Sequence, residues 1–269
     1  MRVLVACEYS GRVRDAFASR GHQAVSCDLL PTESHGIHYQ GDVSILLDGW
    51  MPVTCYAMDC DPEGDGGPCL VTGQCFDDCQ CIGPTQEGIE YLETKHGLFG
   101  RPVDNPHWDL MIAHPPCTYL TCSAEWAYKD RSEINKKLDH DKLYGEARKQ
   151  ARNDAAEFFM MLANAPINKI AIENPVGVMS TRYRKPDCFI QPYEYGHDAS
   201  KKTALWLKNL PPLKPTKFIE PRYVNGLPRW SNQTDSGQNN VPPSKDQWKI
   251  RSTTWQGWAD AMADQWGKL

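Results

Sequence analysis

The chain has 269 residues, of which 41% are hydrophobic, and its formal net charge at pH 7 is −5. This length allows one large domain, and no apolar run approaches the roughly 20 residues that a membrane-spanning helix needs. The acidic balance disfavours a general nucleic-acid binder, and the apolar run at the N-terminus is too short for a signal peptide, so we expect a cytoplasmic protein.

The distribution of charge and the number of cysteines are both unusual. Residues 181–229 hold ten Lys/Arg and four Asp/Glu, a local net charge of +6 that suits either phosphate contact or a solvated surface. Eleven cysteines, an odd number without an export signal, argue against a disulfide framework and leave metal binding or catalysis as reasons for them.

The first 30 residues predict a β-turn-α-β unit. Residues 2–6 form a strand, a tight polar turn begins at Cys7, and a helix then runs to a stop near Gly21. Residues 23–27 form a second strand that ends at Asp28. The helix is expected to bury Val13, Phe17 and Ala18 and to place Arg12, Arg14 and Arg20 on its other faces.

This unit favours a nucleoside cofactor. In dinucleotide-type folds, the first turn and the acid after the second strand face the cofactor. The turn has only Gly11 in place of a G-x-G-x-x-G pattern, so a pyrophosphate cradle is poorly supported. S-adenosylmethionine (SAM) fits better, with Asp42 after a third strand offered to an adenine amino group; a chance acidic loop is the alternative.

Residues 51–106 break the pattern. Six cysteines fall within 27 positions rich in Gly, Pro and Asp, a composition that buries little apolar surface. A structural zinc ion would order this insert, although the spacings differ from paired C-x2-C modules and a reduced loop stays open. The predicted ligands are Cys55, Cys60, Cys69, Cys75, Cys79 and Cys81.

A buried strand and a stiff turn precede a cysteine in the middle of the chain. Residues 110–113 are apolar, and Pro115 and Pro116 end the strand because proline cannot donate to a sheet ladder. Cys117 then lies at the carboxyl end of a strand, where catalytic groups of open α/β sheets collect. A strand over 169–172 ends similarly, in Glu173-Asn174-Pro175.

The remaining elements are less specific. A helix over 145–163 is expected to bury one face, made of Ala147, Ala151, Ala155, Phe158, Phe159 and Leu162. Strands over 189–192 and 203–207 precede an irregular segment, 208–247. The last element is an amphipathic helix over 255–266, with Trp258, Ala259, Met262 and Trp266 on its apolar side.

These motifs together resemble those of the DNA (cytosine-5) methyltransferases, especially the short members carried by bacteriophages. His114-Pro115-Pro116-Cys117 resembles the family's Pro-Cys nucleophile motif, and Glu173-Asn174-Pro175-Val176 resembles its Glu-Asn-Val motif. Glu8-Tyr9-Ser10-Gly11 is similar to its Phe-x-Gly cofactor loop, and Asp28 and Gly41-Asp42 match its strand-end acids. The resemblance covers 1–43 and 108–207, with a weaker echo at 251–266.

The resemblance implies an α/β, Rossmann-like SAM-dependent methyltransferase fold, here with a cysteine-rich insert. It implies methyl transfer from SAM to C5 of a flipped cytosine in DNA, through a covalent cysteine adduct at C6. The implied catalytic residues are Cys117, Glu173, Asn174 and Pro116. The implied cofactor residues are Glu8, Tyr9, Ser10, Gly11, Asp28, Leu29, Asp42 and Pro115.

Two departures from the family bear on the substrate. The family's Gln-x-Arg-x-Arg motif is missing, and only Gln191 stands near its place. The expected replacements that bind substrate are Lys201, Lys202, Arg182 and Arg184, with the lysines preferred. About forty residues, 208–247, lie where the family carries its target-recognition domain, so sequence specificity is expected to be short, absent or partly moved into the insert.

The expected organisation has five parts: a cofactor-binding half (1–50), the insert (51–106), a catalytic half (107–207), a reduced recognition segment (208–247) and a C-terminal helix packing back on the catalytic domain (248–269). DNA is the implied partner, with no obligate protein partner and no membrane. A phage-encoded enzyme would act in the bacterial cytoplasm, as in restriction–modification. The same chemistry on a nucleotide, RNA or modified pyrimidine stays open, as does a catalytically silent nucleic-acid-binding protein.

Overall fold

The computed structural model describes residues 1–47, 108–134, 141–240 and 247–269. The predicted zinc ligands Cys55, Cys60, Cys69, Cys75, Cys79 and Cys81 lie outside these ranges, so the zinc site stays a prediction. Among the described residues, no group of three or more His, Cys, Asp or Glu side chains is arranged to hold a metal ion. Within the same ranges, no helix has the length and apolar character needed to cross a membrane.

The core of the fold is a β-sheet. Its strands are β1 (Arg2–Ala6), β2 (Gln23–Asp28), β3 (His38–Gln40), β4 (Leu110–Ala113), β5 (Lys169–Pro175), β6 (Cys188–Ile190) and β7 (Thr203–Lys208). The described strands hydrogen-bond in the order β3-β2-β1-β4-β5-β7-β6. β2 runs parallel to β1 and β3, whereas β7 is antiparallel to β5 and β6. This mostly parallel order confirms the predicted Rossmann-like methyltransferase fold.

Helices and a hairpin complete the described elements. The helices are α1 (Arg12–Ala18), α2 (Ser44–Leu47), α3 (Gly145–Ala163), α4 (Met179–Arg182), α5 (Gln247–Ser252) and α6 (Gln256–Trp266). Short 3-10 turns occupy Glu125–Tyr128, Arg131–Glu133 and Pro192–Glu194. Strands β8 (Arg222–Val224) and β9 (Leu227–Arg229) pair as a separate hairpin within the segment predicted to be irregular.

The chain divides into two compact units. The first comprises Met1–Ile112, Pro166–Lys169 and Trp248–Leu269, and the second comprises Ala113–Ala165 and Ile170–Gln247.

In the first unit, the C-terminal helix has the apolar face that its sequence predicts. Helix α6 packs against α1, and Trp258, Ala259, Met262 and Trp266 are all buried. At the edge of this contact, Arg20 pairs with Asp260 and Asp264.

The prediction for α1 is wrong at Arg14. Its side chain is only 1% exposed, although the helical spacing placed it on an outer face. The guanidinium donates to Ser26 Oγ, Thr32 Oγ1 and the carbonyls of Ser34 and His35, and it pairs with Asp15. A buried charge is tolerated when it is paired and hydrogen-bonded in this way, and a single helix cannot reveal such partners. Ala18, expected inside, is exposed.

In the second unit, α3 has the predicted bounds, and its buried face agrees with the prediction at Phe159 and Leu162 but not at the alanines. Its buried residues are Gly145, Arg148, Ala156, Phe159 and Leu162, whereas Ala147 is exposed. Arg148 takes an inward position because its guanidinium lies over the rings of Tyr119 and Tyr128, at 5.2 and 4.9 Å from their centroids.

Candidate active site

Glu8 shapes the turn that follows β1. Its backbone N–H donates to the Cys27 carbonyl at 3.0 Å, which ties the turn to β2. Its buried carboxylate accepts the N–H groups of Val13 and Arg14, at 2.8 and 3.2 Å, and so caps the start of α1. Ser10 Oγ donates to the same carboxylate at 3.3 Å. Glu8 and Ser10 were both predicted to bind the cofactor, and in the structure their side chains form hydrogen bonds within the protein that stabilise the turn.

Gly11 and Tyr9 fix the rest of this turn. Gly11 has a φ of +71°, and a Cβ there would collide with Ser34 Oγ and the Arg14 guanidinium, so only glycine fits. The Tyr9 hydroxyl donates to the Lys249 carbonyl at 2.9 Å and lies 3.0 Å from Thr253 Oγ1. The loop that the sequence assigns to cofactor binding is thereby anchored to the C-terminal segment of its own unit.

Two carboxylates lie at the carboxyl ends of β2 and β3. Asp28 Oδ1 accepts the Leu30 N–H at 3.0 Å, and Asp42 Oδ1 accepts the Ser44 N–H at 2.8 Å. Burial, followed by the negative charges of Asp28 and Asp42, raises the pKa of the Cys27 thiol to about 12. Leu29, between the strands, is 73% exposed. Two acids beside an exposed apolar side chain fit the hydroxyls and ring of a nucleoside.

In the second unit, the motif before Cys117 contacts the last residues of β5 through two neighbouring hydrogen bonds. The predicted strand over 169–172 extends to Pro175, so Glu173 and Asn174 lie in β5 itself. Asn174 Nδ2 donates to the Pro115 carbonyl at 2.8 Å, and His114 Nδ1 lies 3.0 Å from Glu173 Oε2. Asn174 is 1% exposed. The structure therefore brings the two predicted catalytic motifs together although 59 residues separate the bonded pairs along the chain.

Glu173 is an ionised carboxylate in a buried setting. Burial alone would raise its pKa, but the hydrogen bond with His114 and the positive charge of Lys201 outweigh burial and lower the pKa. Its side chain is 12% exposed. Among the described residues, Glu173 Oε1 and His114 Nε2 are buried without a hydrogen-bond partner. Buried polar atoms are nearly always bonded, so these two atoms mark a place where a ligand is expected.

The loop that carries Cys117 and the loop that follows β5 also join further along the chain. The Cys117 carbonyl accepts the N–H groups of Leu120 and Thr121, at 3.0 and 3.1 Å. The Leu120 carbonyl accepts the Val178 N–H at 2.8 Å, and Thr121 forms a bridge with Gly177. A Cβ at position 177 would collide with the Leu120 carbonyl oxygen. Gly177 therefore permits the close approach that fixes the two loops.

Arg152 of α3 holds the segment after Cys117, a contact that sequence reasoning missed. Its Nε donates to the Tyr119 carbonyl at 2.9 Å, and its guanidinium lies 3.5 Å from the Tyr128 ring centroid. It also pairs with Glu125 at 2.6 Å. Arg148 and Arg152 share one face of α3 at i, i+4 spacing, and that spacing beside a tyrosine-containing loop was the available signal.

One of the four predicted substrate cations lies near Glu173. Lys201 acts on the Glu173 carboxyl through its charge, and its backbone N–H donates to Gln191 Oε1 at 2.9 Å. Gln191 thus helps to hold the backbone at Lys201, whose predicted role in binding substrate stays a prediction. Lys202 instead points its Nζ over the Phe189 ring, 4.3 Å from the centroid.

The two predicted arginines are engaged elsewhere in the second unit. Arg182 donates to Asn153 Oδ1 at 2.9 Å. Arg184 pairs with Asp187 at 2.7 Å and donates to the Leu207 carbonyl at 2.8 Å, so it stabilises the region of β6 and β7.

Comparisons with known proteins give little further guidance. No protein-family model and no curated protein matches the chain. One solved structure that matches is described as a proposed DNA modification methyltransferase encoded within a prophage of E. coli. The match has a TM-score of 0.37 and 14% sequence identity, and it covers 81% of this chain and 52% of that one. The chain thus spans about half of that protein, and a likeness at this level establishes neither a family nor a substrate.

Proposed function

We propose that this protein transfers a methyl group from SAM to C5 of cytosine in DNA through a covalent bond between Cys117 Sγ and C6. The observation that carries the proposal is the joined pair of motifs around Glu173. An ionised carboxylate with one buried, unbonded oxygen belongs to the same hydrogen-bonded framework as the turn that presents a cysteine. A thiol and a carboxylate are the two groups that this reaction needs.

The chemistry assigns a separate role to each group. Cytosine C5 is a poor nucleophile, but addition of the Cys117 thiolate to C6 makes the ring enamine-like, so that C5 can attack an electrophilic carbon. Glu173 accepts hydrogen bonds from the exocyclic amine and from N3 as N3 gains a proton, which stabilises the charge that develops. Water then removes the C5 proton, the C6–S bond breaks, N3 returns its proton to solvent and the thiolate is regenerated.

The first unit supplies the residues that fit the cofactor. SAM, when bound, supplies an electrophilic methyl group. Asp28 is suited to its ribose hydroxyls, Asp42 to its adenine amino group and Leu29 to the face of its ring. Pro115, in the second unit, stays a predicted cofactor contact.

A second candidate keeps the chemistry and changes the substrate to a nucleotide, RNA or a modified pyrimidine. The observation that favours it is the engagement of Arg182 and Arg184 in contacts within the protein. Two of the four cations expected to bind substrate are thus already used, which weakens the case for a long DNA contact. Lys201 near Glu173 serves either substrate.

Methyl transfer from tritiated SAM to mixed-sequence duplex DNA, followed by nucleoside mass spectrometry, tests the proposal. We expect 5-methyldeoxycytidine with the native protein and none with Cys117→Ser. Cys122→Ser is the matched control, because Cys122 is exposed and lies five residues further along the same loop.

Four results would count against the proposal. Full activity of Cys117→Ser would exclude the covalent route, and label on a different atom or base would exclude C5 chemistry. Transfer only to mononucleotides or RNA would support the second candidate. Cofactor binding without turnover on any substrate would favour a silent binding protein.

A further inference from the structure

His114 has one bonded and one unbonded ring nitrogen, both buried. Its side chain is 7% exposed. Nδ1 lies 3.0 Å from Glu173 Oε2, whereas Nε2 has no hydrogen-bond partner among the described residues. The family motif that this segment resembles explains the proline and the cysteine but gives no role to a histidine at this position.

The ionisation of Glu173 determines which atoms of the pair carry hydrogen. A carboxylate can only accept, so Nδ1 must carry the proton and donate to Glu173 Oε2. In the neutral ring, Nε2 is then an acceptor. Glu173 Oε1 is the other unbonded atom of the pair and is also an acceptor. The pair therefore offers two buried acceptors and no donor.

We propose that His114 is a positioning and specificity-determining residue, whose Nδ1–H fixes the Glu173 carboxylate and whose Nε2 joins Glu173 Oε1 in accepting hydrogen bonds from the exocyclic amine of the substrate pyrimidine. This inference rests on the proposed function. An exocyclic amine has two N–H groups, which match two acceptors. Uracil and thymine present a carbonyl oxygen at that position, and an acceptor facing two acceptors is unfavourable, so the pair selects an amino pyrimidine.

Three substitutions separate the two roles of the ring. His114→Asn keeps an N–H near the position of Nδ1 but has no atom at Nε2. His114→Gln reaches the position of Nε2 but lacks the donor to Glu173. His114→Leu removes both. Thermal unfolding and SAM affinity serve as folding controls, because the cofactor residues of the first unit are untouched.

The positioning role is tested by the pKa of Glu173, measured from the carboxyl 13C shift in glutamate-labelled protein and assigned with Glu173→Gln. The His114 hydrogen bond lowers this pKa, so we expect it to rise in the Gln and Leu variants and to stay near the native value in the Asn variant. If the Leu variant does not fold, the Gln and Asn variants still make the comparison. The same pKa in the native, Asn and Gln proteins would overturn the positioning role. Because no turnover is needed, this result stands even if the proposed reaction is absent.

The specificity role is tested by kcat/KM on duplexes that carry cytosine or uracil at the target position. Loss of one hydrogen bond in His114→Asn is expected to lower kcat/KM for cytosine about tenfold. Discrimination against uracil should fall with it. Native kcat/KM in His114→Asn would show that Nε2 does not contact the base. A native protein that titrates as expected but transfers no methyl group would instead contradict the proposed function and, with it, the specificity role.

Discussion

At the scale of single residues, the central feature is a carboxylate that stays charged inside the protein. Burial acts to raise the pKa of Glu173, and the neighbouring His114 and Lys201 more than offset it. The group therefore meets its substrate as an acceptor and not as an acid. This state suits a partner that presents N–H groups. Because an ionised Glu173 has no proton to donate, the proton that N3 gains comes from solvent.

Asn174→Asp tests whether the contact between the two motifs matters for activity. The change is nearly isosteric, but it replaces the N–H donor to the Pro115 carbonyl with an oxygen, which sets acceptor against acceptor in a buried position. We expect a loss of about 1–3 kcal/mol in the free energy of unfolding and a large fall in kcat. Urea unfolding and initial-rate measurements check both.

The matched control for this change is Asn153→Asp. Asn153 uses its side-chain oxygen to accept from Arg182, and aspartate keeps that acceptor, so near-native stability and activity are expected. Native activity in Asn174→Asp would mean that the Pro115 contact does not position Glu173.

Several single residues were predictable from sequence, and others were not. Cys117, Glu173 and Asn174 stand out because each comes directly after a short apolar run of the sequence, and strand ends of an α/β sheet carry polar groups for function. Arg14 was assigned to an outer helix face, and no buried position was predicted for Arg148, because charged residues are rarely buried. Their burial depends on partners such as Ser26 and Tyr119, which only the folded chain brings within reach.

At the scale of elements, the loops after β4 and β5 act as one framework. The Leu120–Val178 hydrogen bond and the Thr121–Gly177 bridge join them beyond the catalytic motifs. Arg152 then attaches the first loop to α3. The position of Cys117 is thus set by backbone contacts on both sides of it, which is the kind of rigid support that a reactive side chain requires.

Gly177→Ala is predicted to disrupt this framework. The added methyl group would collide with the Leu120 backbone carbonyl, which cannot move without shifting the loop that follows Cys117. We expect a loss of stability together with a fall in kcat of at least tenfold, measured by thermal unfolding and methyl transfer.

Gly226→Ala supplies the comparison for Gly177→Ala. Gly226 lies in the β8–β9 turn with a φ of +76° and has open space around it, so alanine there adds backbone strain of about 1–2 kcal/mol but no collision. A similar loss of stability with native kcat is expected. Equal activity of the two variants would show that the loop contact at Gly177 has no bearing on catalysis.

Element bounds were more predictable than element faces. The spacing of apolar residues gave α3 its observed range, and it gave α6 both its range to within one residue and its buried face. The face of α3 was partly wrong because alanine contributes little to a hydrophobic pattern, whereas a nearby pair of tyrosines can draw an arginine inward.

At the scale of the whole molecule, the sheet order follows from topology that no single segment encodes. Periodicity identified β1, β2, β4, β5, β7 and most of β6, but the position of antiparallel β7 between β5 and β6 was not predicted. Local patterns predict strands, and long-range pairing fixes their neighbours.

The charge distribution belongs to the same scale. Residues 181–229 carry a net charge of +6 within a chain of −5, yet several of their cations have partners within the protein. Any electrostatic attraction of a nucleic acid would then come from the summed charge of residues 181–229. Salt screens that attraction, so the rate of association should fall as ionic strength rises.

The central claim is that Cys117 bonds to C6 of a cytosine. A duplex that carries 5-fluorodeoxycytidine tests it directly, because fluorine cannot leave C5 as a proton does and the bond between enzyme and base therefore persists after methyl transfer. With SAM present, we predict a denaturant-stable protein–DNA adduct that maps by peptide mass spectrometry to Cys117 and is absent with Cys117→Ser. The absence of an adduct from native protein that binds both SAM and DNA, or an adduct at another residue, would contradict it.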